Sequence, residues 1–281
     1  MNDQRRGFGE GVTDYRSENP LRGGIANRDL VVRKGDTVRR PQRETSPATH
    51  ALLEYLDEVG FDGAPRFLGV DPEGREVLSY IAGDAVIPPY PGWALTDSAL
   101  RSVAELLRRY HEAVAGFDAG PYRWPPSPPA PYDDVSLVCH NDPNLDNVVF
   151  RSGRAVALID FDLASPGSPI WDVACAVRLW SPMRSDAFIT DARRGRTLHR
   201  LRTFVQAYGA QTLDPELLIS AVAANHDWLY AVVEEGAQGG NPGYADYWEE
   251  HHHRVAATRL WYRAEHERLV GALAGSSLNE K

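Results

Sequence analysis

Short apolar segments separated by turn residues fill the first third of the chain, and this pattern predicts an antiparallel sheet. The tight turn Lys34-Gly35-Asp36 joins two of these segments. Pro47–Gly60 instead carries apolar residues at helical spacing, with Gly60 as the helix stop. The predicted strands are Leu30–Arg33, Thr37–Arg40, Pro65–Val70 and Glu76–Ile81.

Helical spacing of apolar residues dominates most of the remainder. A long helix ends at Phe117 and begins at one of two alternative N-caps, Thr96 or Ser98. A glycine-rich break at Gly236–Gly243 separates the last two helices. The later predicted helices are one that opens at Pro169, followed by Asp186–Tyr208, Pro215–Glu235 and Tyr244–Leu273.

One stretch, Leu137 to Asp162, interrupts this helical pattern with a strand, a polar loop and a hairpin. Val148–Phe150 and Ala155–Ile159 are apolar runs joined by the hairpin signal Ser152-Gly153. Six polar side chains crowd the loop His140–Asn147 that precedes them. Two carboxylates then end an apolar strand, where they serve no packing purpose. The stretch therefore looks organised for chemistry.

The spacing of these polar residues matches phosphoryl-transfer chemistry. Asp142 can accept a proton from an attacking hydroxyl, and Asn147 and Asp160 supply the oxygen ligands that Mg²⁺ prefers. The pattern H-x-D-x-x-x-x-N, followed by D-F-x, is the catalytic signature of protein-kinase-like phosphotransferases. Asp and Asn also occur in loops simply because they favour turns. A His, two Asp and an Asn at the required offsets, between strands, favour the functional interpretation.

The stretch resembles the aminoglycoside phosphotransferase and choline kinase family more than the protein kinases. The loop is H-N-D rather than H-R-D, the second motif is D-F-D rather than D-F-G, and no A-P-E motif follows. The resemblance extends roughly from Pro20 to Leu273. It implies an α+β, protein-kinase-like fold of two lobes: a small antiparallel-sheet lobe followed by a larger, mostly helical one. It also implies ATP and Mg²⁺ as cofactors and an alcohol group of a small molecule as acceptor, with ATP or GTP preference left open.

The resemblance also suggests roles for further residues. His140 is grouped with the catalytic Asp142, although we expect it to shape the loop rather than do chemistry. Asp162 is either a further metal contact or only a hydrogen-bond partner. Asp172 resembles the family's aspartate that braces the catalytic loop; a carboxylate favoured by the helix dipole is the plainer interpretation, and both can hold. His111 also resembles a family feature, but a structural histidine is the expectation.

Under this resemblance the chain divides into three parts. We expect a disordered N-terminus (1–14), a nucleotide-binding lobe (15–82) and a helical lobe with the catalytic loop and the acceptor site (83–281). A glycine-containing turn in the first lobe would lie over the nucleotide phosphates. The hinge at the end of this lobe would bind adenine through backbone groups. The predicted nucleotide contacts of these two segments are Gly23, Gly24, Asn27, Ser79, Tyr80 and Ile81.

Kinase-like enzymes hold the nucleotide phosphates with a cation on the third strand. The chain has only two lysines, Lys34 in a turn and Lys281 at the last position, so an arginine is the better candidate. Strand alternation places Arg40 on the same face as an adenine-contacting Val38, whereas Arg39 points the other way. Arg40 is therefore the predicted phosphate ligand, and its guanidinium suits bidentate binding.

In the family, the first helix carries an acid that pairs with this cation. The nearest candidates on Pro47–Gly60 are His50 and Glu54, and neither fits well. Glu54 is better interpreted as a solvated helix residue. The sequence thus leaves the partner of Arg40 open.

Composition excludes several other classes of protein. The 281 residues are 43% hydrophobic and 25% charged, as in ordinary globular proteins. A net charge of −9 argues against a nucleic-acid partner. Neither a membrane-spanning run nor a signal peptide is found, and Cys139 and Cys175 lie in apolar segments. We therefore expect a cytoplasmic protein without membrane association, as a monomer or a homodimer, with buried thiols.

The distribution of charged residues along the chain indicates the charge of the acceptor molecule. No Lys or Arg lies between Arg202 and Arg254. This acidic span lies where relatives bind the acceptor, so a cationic small molecule such as an aminoglycoside is expected, and with it antibiotic resistance. The alternatives for the function are a kinase for an amino alcohol or a sugar, and a nucleotide-binding or immunity protein with little catalysis. The alternative interpretation of the acidic span is a solvated helix face. The carboxylates of the acidic span are Asp214, Glu216, Asp227, Glu234, Glu235, Asp246, Glu249 and Glu250.

Overall fold

A five-stranded antiparallel sheet forms the first lobe of the computed structural model, which describes residues 17–21, 30–126, 136–209 and 213–274. The strand order is β1-β2-β3-β5-β4 and all neighbouring strands pair antiparallel, so the predicted antiparallel sheet is confirmed. The predicted disorder before residue 15 lies outside the described residues. The strands are β1 (Asn19–Pro20), β2 (Val32–Lys34), β3 (Thr37–Pro41), β4 (Phe67–Val70) and β5 (Arg75–Ser79).

Helix α1 (Ser46–Glu58) covers this sheet. Its predicted apolar side, Leu52, Leu53 and Leu56, is at most 1% exposed. Glu58 ends the helix, and Gly60 then adopts the left-handed conformation (φ +75°) that favours glycine. The helix lies where the helical spacing of apolar residues predicts it, and its buried side faces the core.

The catalytic stretch forms two small sheets beside the long helix α2. β7 pairs with β10 and β8 pairs with β9, while β6 adds to the edge of β8. Thr96 caps α2 by accepting a hydrogen bond from the Ala99 amide at 3.2 Å, which decides between the two predicted caps. The elements are β6 (Asp84–Ala85), α2 (Asp97–Val114), β7 (Leu137–Cys139), β8 (Val148–Arg151), β9 (Arg154–Leu158) and β10 (Ser165–Gly167).

Within the described residues, five α-helices complete the second lobe. Two of the predicted helix boundaries are wrong. The predicted helix Asp186–Tyr208 is a short 3₁₀ turn at Asp186–Phe188 and an α-helix that begins only at Thr197. Between them, Arg193 bonds the Asp191 carboxylate, and Gly195 adopts φ +73°. Side-chain bonds of this local kind compete with helix formation. The helices are α3 (Pro169–Trp180), α4 (Thr197–Tyr208), α5 (Pro215–Gln238), α6 (Pro242–His251) and α7 (His253–Ala274).

The second wrong boundary lies in the C-terminal region. Tyr244–Leu273 was predicted as one helix, but α6 ends at His251 and α7 starts at His253. The predicted glycine-rich break is shorter than expected, because Gly236 lies inside α5 and its Cα packs closely on Tyr244. Asn241 caps α6 by accepting from the amides of Gly243 and Tyr244.

One apolar core connects α1 with α2, α3, α4 and α5. Cys139 and Cys175 are both buried and free, as expected. Within the described ranges, no helix combines the length and the apolar character needed to cross a bilayer. The core thus leaves the polar stretch between α2 and α3 as the surface of a cleft.

Candidate active site

One residue of the polar loop and one residue that follows β9 adopt left-handed backbone conformations. Asn141 and Asp160 both have φ 63°, which is uncommon for non-glycine residues and costs free energy. Asn141 is stabilised because its buried side-chain amide donates to the Leu163 carbonyl (2.8 Å) and the Ser165 hydroxyl (2.9 Å). Strain of this kind typically persists at functional sites, where the surroundings over-determine it.

Asp172, at the start of α3, clamps the start of the loop. Its fully buried carboxylate accepts hydrogen bonds from the backbone amides of His140 (2.7 Å) and Asn141 (2.9 Å) and from Nε2 of His111 (3.0 Å). Burial opposes ionisation, but the hydrogen bond and charge of His111 and the contacts of His140 hold the pKa of Asp172 below its usual value. The arrangement matches the predicted bracing role, and His111 has a structural partner.

His140 connects three parts of the site through its own ring. Nε2 lies 3.0 Å from the Ile159 carbonyl, and Nδ1 accepts from the Asp142 amide at 3.3 Å. This pairing fits the tautomer with the proton on Nε2. Burial lowers the pKa of His140, which favours the neutral ring. The geometry agrees with a shaping role.

Asp142 and Asn147 lie next to one another at the mouth of the cleft. The Asn147 side-chain nitrogen donates to the Asp142 carboxylate (2.8 Å) and to its carbonyl (3.0 Å). Asn144 donates to the other carboxylate oxygen at 3.0 Å. Because the amide nitrogen of Asn147 is used in these bonds, its oxygen is the atom left to bind a cation.

Two buried carboxylates in this region, Asp142 and Asp160, have raised pKa values. Burial, then the charges of Asp146 and Asp160, raise the pKa of Asp142 well above its usual value. Burial and the charge of Asp162 also raise the pKa of Asp160. Such crowding of like charges is relieved by a cation or by a proton. The site is therefore electrostatically suited to a divalent metal ion.

Arg40 reaches the same point from the opposite lobe. Its guanidinium contacts Asp160 (2.9 Å) and Asp162 (2.9 Å), whereas Arg39 points away towards Asp71 at 3.4 Å. Burial opposes the charge on Arg40, but Asp162, Asp160 and the neighbouring Glu76 raise its pKa. Of the two arginines, Arg40 thus faces the catalytic loop, as strand alternation predicts.

The acidic partner of Arg40, left open by the sequence, is Glu76 on β5. Glu76 is 1% exposed and bonds the Arg40 Nε, and the imidazole of His50 bonds its second oxygen. Glu54 is exposed and takes no part. β3 and β5 pair in a register that places Arg40 opposite Glu76. Cross-strand pairing of the two predicted strands was the signal that could have found it.

The predicted nucleotide contacts are only partly described. Gly23, Gly24 and Asn27 lie outside the described residues. In the hinge, the Ser79 amide donates to the Arg66 carbonyl and the Tyr80 amide donates to the Asp36 carbonyl, which lies in the turn between β2 and β3. Of the three predicted hinge residues, Ile81 keeps an amide without a hydrogen bond to the described part of the chain. Carbonyl oxygens and this one amide are the groups left for a nucleobase.

A cavity of about 730 Å³ opens beside the catalytic loop, within the usual size range of ligand sites. The predicted residues Asp142, Asn147, Asp160 and Asp162 all line it. Of the eight carboxylates of the acidic span, only Glu250 does so, and it is exposed. The remaining wall contains the carboxylate of Asp146, several aliphatic residues, and a group of aromatic and basic side chains. This aromatic and basic group includes Tyr230, Tyr244, Tyr247, Arg178, Arg184 and Arg254.

Fold and site together define a class of protein. The phosphotransferase enzyme family matches residues 122–208, which include the whole catalytic loop. The trifolitoxin immunity protein of Rhizobium leguminosarum bv. trifolii is 31% identical over 196 residues, covering 65% of this chain and 71% of that protein. The chain belongs to the phosphotransferase enzyme family.

Solved structures show that this fold is shared with small-molecule kinases. A choline/ethanolamine kinase family protein from Mesorhizobium loti superposes with a TM-score of 0.60 at 20% identity, covering 93% of this chain and 94% of that one. The GDP complex of aminoglycoside 2'-phosphotransferase-IIIa gives 0.56 at 15% identity, covering 94% and 95%. Plasmodium vivax ethanolamine kinase gives 0.57 at 12% identity, covering 89% and 83%. The predicted protein-kinase-like, two-lobed α+β fold is thus confirmed.

Proposed function

We propose that the chain transfers the γ-phosphoryl group of ATP to a hydroxyl of a small molecule in a Mg²⁺-dependent reaction. The observation that carries this proposal is the convergence of Asp142, Asn147 and Asp160 on one cavity. In the transfer, the acceptor oxygen forms a bond to the γ-phosphorus, the bond to the leaving ADP oxygen breaks, and the hydroxyl proton passes to Asp142. Positioning and charge neutralisation supply most of the catalysis in this class of reaction.

The oxygen donors at the proposed metal site suit Mg²⁺. Asn147 offers an amide oxygen and Asp160 a carboxylate whose pKa is raised by burial and by the charge of Asp162. In the described ranges, no group of three or more His, Cys, Asp or Glu side chains is arranged to hold a metal ion. This fits Mg²⁺, which usually takes one or two protein carboxylates together with phosphate oxygens and water. When bound, Mg²⁺ would neutralise charge on the transferred phosphate, with Asp162 as a further possible ligand.

Arg40 is the proposed phosphate ligand, and this role requires that it release the metal-site carboxylates. Its guanidinium bonds Asp160 and Asp162, so nucleotide binding would exchange these partners for phosphate oxygens. Glu76 would keep hold of Nε throughout and fix the orientation of the side chain. The hinge and the turn at Gly23 and Gly24 complete the proposed nucleotide site, and the lobe boundary after residue 82 remains a prediction.

The nature of the acceptor is a separate matter. An aminoglycoside or another cation was expected from the acidic span, but seven of its eight carboxylates lie outside the lining of the cavity. A kinase for an amino alcohol or a sugar remains as the alternative. Cytoplasmic location, antibiotic resistance and a monomeric or homodimeric state remain predictions.

A second candidate function is nucleotide binding with little turnover, as part of an immunity system. Two observations favour it: a relative carries the name of an immunity protein, and Arg40 occupies the carboxylates proposed for the metal. This candidate predicts binding of Mg-ATP without release of ADP in the presence of any acceptor.

Thermal unfolding with nucleotide, followed by an ADP-release screen, separates the two candidates. At a hundredfold excess over Kd, Mg-ATP should raise the melting temperature by about 5–10 °C. Parallel samples with ATP alone and with Mg-GTP report metal dependence and nucleotide choice. ADP release that depends on one class among aminoglycosides, amino alcohols, sugars and hydroxy acids supports the kinase. A shift without ADP release would support the second candidate, and no shift would contradict both.

A further inference from the structure

Arg178 and Arg184 are two of the three cavity-lining arginines that have no carboxylate partner among the described residues; Arg254 is the third. Arg178, on α3, is 9% exposed and donates through Nε to the Asn225 side-chain oxygen at 2.7 Å. Arg184, in the loop that follows, is half-buried and makes one long hydrogen bond, to the Phe188 carbonyl at 3.3 Å. Among the described residues, neither guanidinium lies within 4.0 Å of an Asp or Glu oxygen. The remaining nitrogens of both side chains are available to a ligand.

Two other buried arginines are compensated by bonded carboxylates, whereas the fully buried Arg200 bonds two backbone carbonyls and lies 3.9 Å from Asp97. Arg40 bonds three carboxylates, and the 2% exposed Arg193 bonds Asp191. The charged neighbours of Arg184 include the arginines Arg193 and Arg178, and the acidic neighbour Asp191 already bonds Arg193. Burial, then the charges of Arg193 and Arg178, lower the pKa of Arg184. An uncompensated cation in such a place is costly, and an anion would relieve the cost.

The charge of Arg178 has one partial explanation inside the protein, because it opposes the rise in the pKa of Asp142. The two groups nevertheless do not form an ion pair within 4.0 Å. The charge of Arg184 helps to lower the pKa of Asp191, but that carboxylate hydrogen-bonds Arg193 and forms no ion pair within 4.0 Å with Arg184, which shares the cavity with Tyr230 and Tyr247. Its placement therefore indicates a ligand group rather than a structural ion pair.

We propose that the acceptor carries an anionic group, a carboxylate or a phosphate, which Arg178 and Arg184 bind while a hydroxyl of the same molecule faces Asp142. This inference rests on the proposed phosphotransfer and specifies its acceptor class. Guanidinium groups bind both oxyanions through paired, charge-assisted hydrogen bonds. Tyr230, Tyr244 and Tyr247 would pack against the body of the acceptor. The proposal reverses the sign of charge expected from the acidic span.

Matched acceptors test the proposal in the full-length protein. Gluconate and glucitol, glycerate and glycerol, and pantothenate and panthenol differ within each pair in a carboxylate, and kanamycin and choline represent cations. We expect ADP release with an acid and a kcat/KM at least about tenfold above its neutral partner. Phosphorylated counterparts such as glycerol 3-phosphate show which oxyanion is preferred. A neutral or cationic compound as best acceptor would overturn the proposal and leave the kinase intact.

Arg184→Gln identifies the arginine responsible. It should raise the KM for the acid about 10- to 100-fold and lower the ratio of kcat/KM for the acid to kcat/KM for its neutral partner. The acid-to-neutral ratio is measured within one variant, so partial loss of folded protein cancels. Arg101→Gln removes the same charge from the exposed side of α2, outside the cavity, and should change neither value. Equal acid-to-neutral ratios in wild type and Arg184→Gln would refute the assignment.

A binding measurement keeps the test independent of turnover. Inorganic phosphate and acetate should raise the melting temperature of the wild type and of Arg101→Gln, and the rise should be smaller in Arg184→Gln. If this difference appears while no compound is phosphorylated, the anion site stands and the proposed kinase fails. If the three proteins respond equally, the anion site fails, whatever the ADP-release screen shows.

Discussion

Asp172→Asn removes the charge of the loop clamp and keeps its size. The carboxylate of Asp172 accepts from two backbone amides and one imidazole, all in a fully buried position. An amide has one acceptor oxygen, so its NH₂ group must face one of these donors. Because the variant loses a charge-assisted bond and leaves a buried donor unpaired, we expect it to be less stable by about 3–5 kcal/mol.

Urea unfolding followed by tryptophan fluorescence measures this loss, since Trp171 is adjacent to the substituted residue. Asp62→Asn is the matched control: Asp62 has an 82% exposed side chain, pairs with Arg109, and should cost no more than about 1 kcal/mol. A loss below about 1 kcal/mol for Asp172→Asn would show that the clamp does not hold the loop.

The direction of the pKa shift of Asp172 predicts how the stability difference between wild type and Asp172→Asn changes with pH. The pKa of Asp172 is held below that of the unfolded chain, so its contribution to stability is complete above the unfolded value near 4 and is lost as pH falls through the folded value. The stability difference between wild type and Asp172→Asn should therefore be largest near neutral pH and narrow in acid. A difference that stays constant into acid would refute the assigned pKa shift.

Two further predictions concern the metal and the phosphate ligand. Asp160→Ala should abolish the Mg²⁺-dependent part of the ATP-induced thermal shift, because the remaining candidate carboxylate, Asp162, is paired with Arg43; a full shift in the variant would refute the assignment. Glu76→Gln should lower the free energy of unfolding by about 1–3 kcal/mol, less than a broken isolated pair, because Arg40 keeps Asp160 and Asp162. Urea unfolding against the control Glu54→Gln, an exposed residue on α1, decides it; equal midpoints would contradict the role of Glu76.

Local pattern was sufficient for most of the secondary structure. The hairpin of β8 and β9 was predicted because Ser152-Gly153 favours its turn, and Ser152 and Gly153 adopt φ 52° and 75°. The helix across Asp186–Tyr208 failed because Asp191 and Arg193 satisfy one another locally and interrupt the helical hydrogen bonds.

The partners of charged residues were less accessible to sequence reasoning. Arg40 could be selected by strand alternation, but finding Glu76 required the register between β3 and β5. The charged side chains that line the cavity could not be predicted from the net charge of a span. Most of the acidic residues lie outside the lining of the cavity, whereas Arg178 on α3 and Arg184 in the loop that follows line it. Net charge along the sequence is therefore a weak guide to the charge of a site.

Turnover by Asp142→Asn is the measurement that tests the proposed phosphotransfer most directly. With the acceptor that gives the fastest ADP release, the account predicts that kcat falls by about 10²–10⁴ while the Mg-ATP thermal shift is retained. Asp84→Asn, an exposed carboxylate on β6, should leave kcat unchanged. Unchanged turnover in Asp142→Asn would contradict the assignment of Asp142 as the group that accepts the proton.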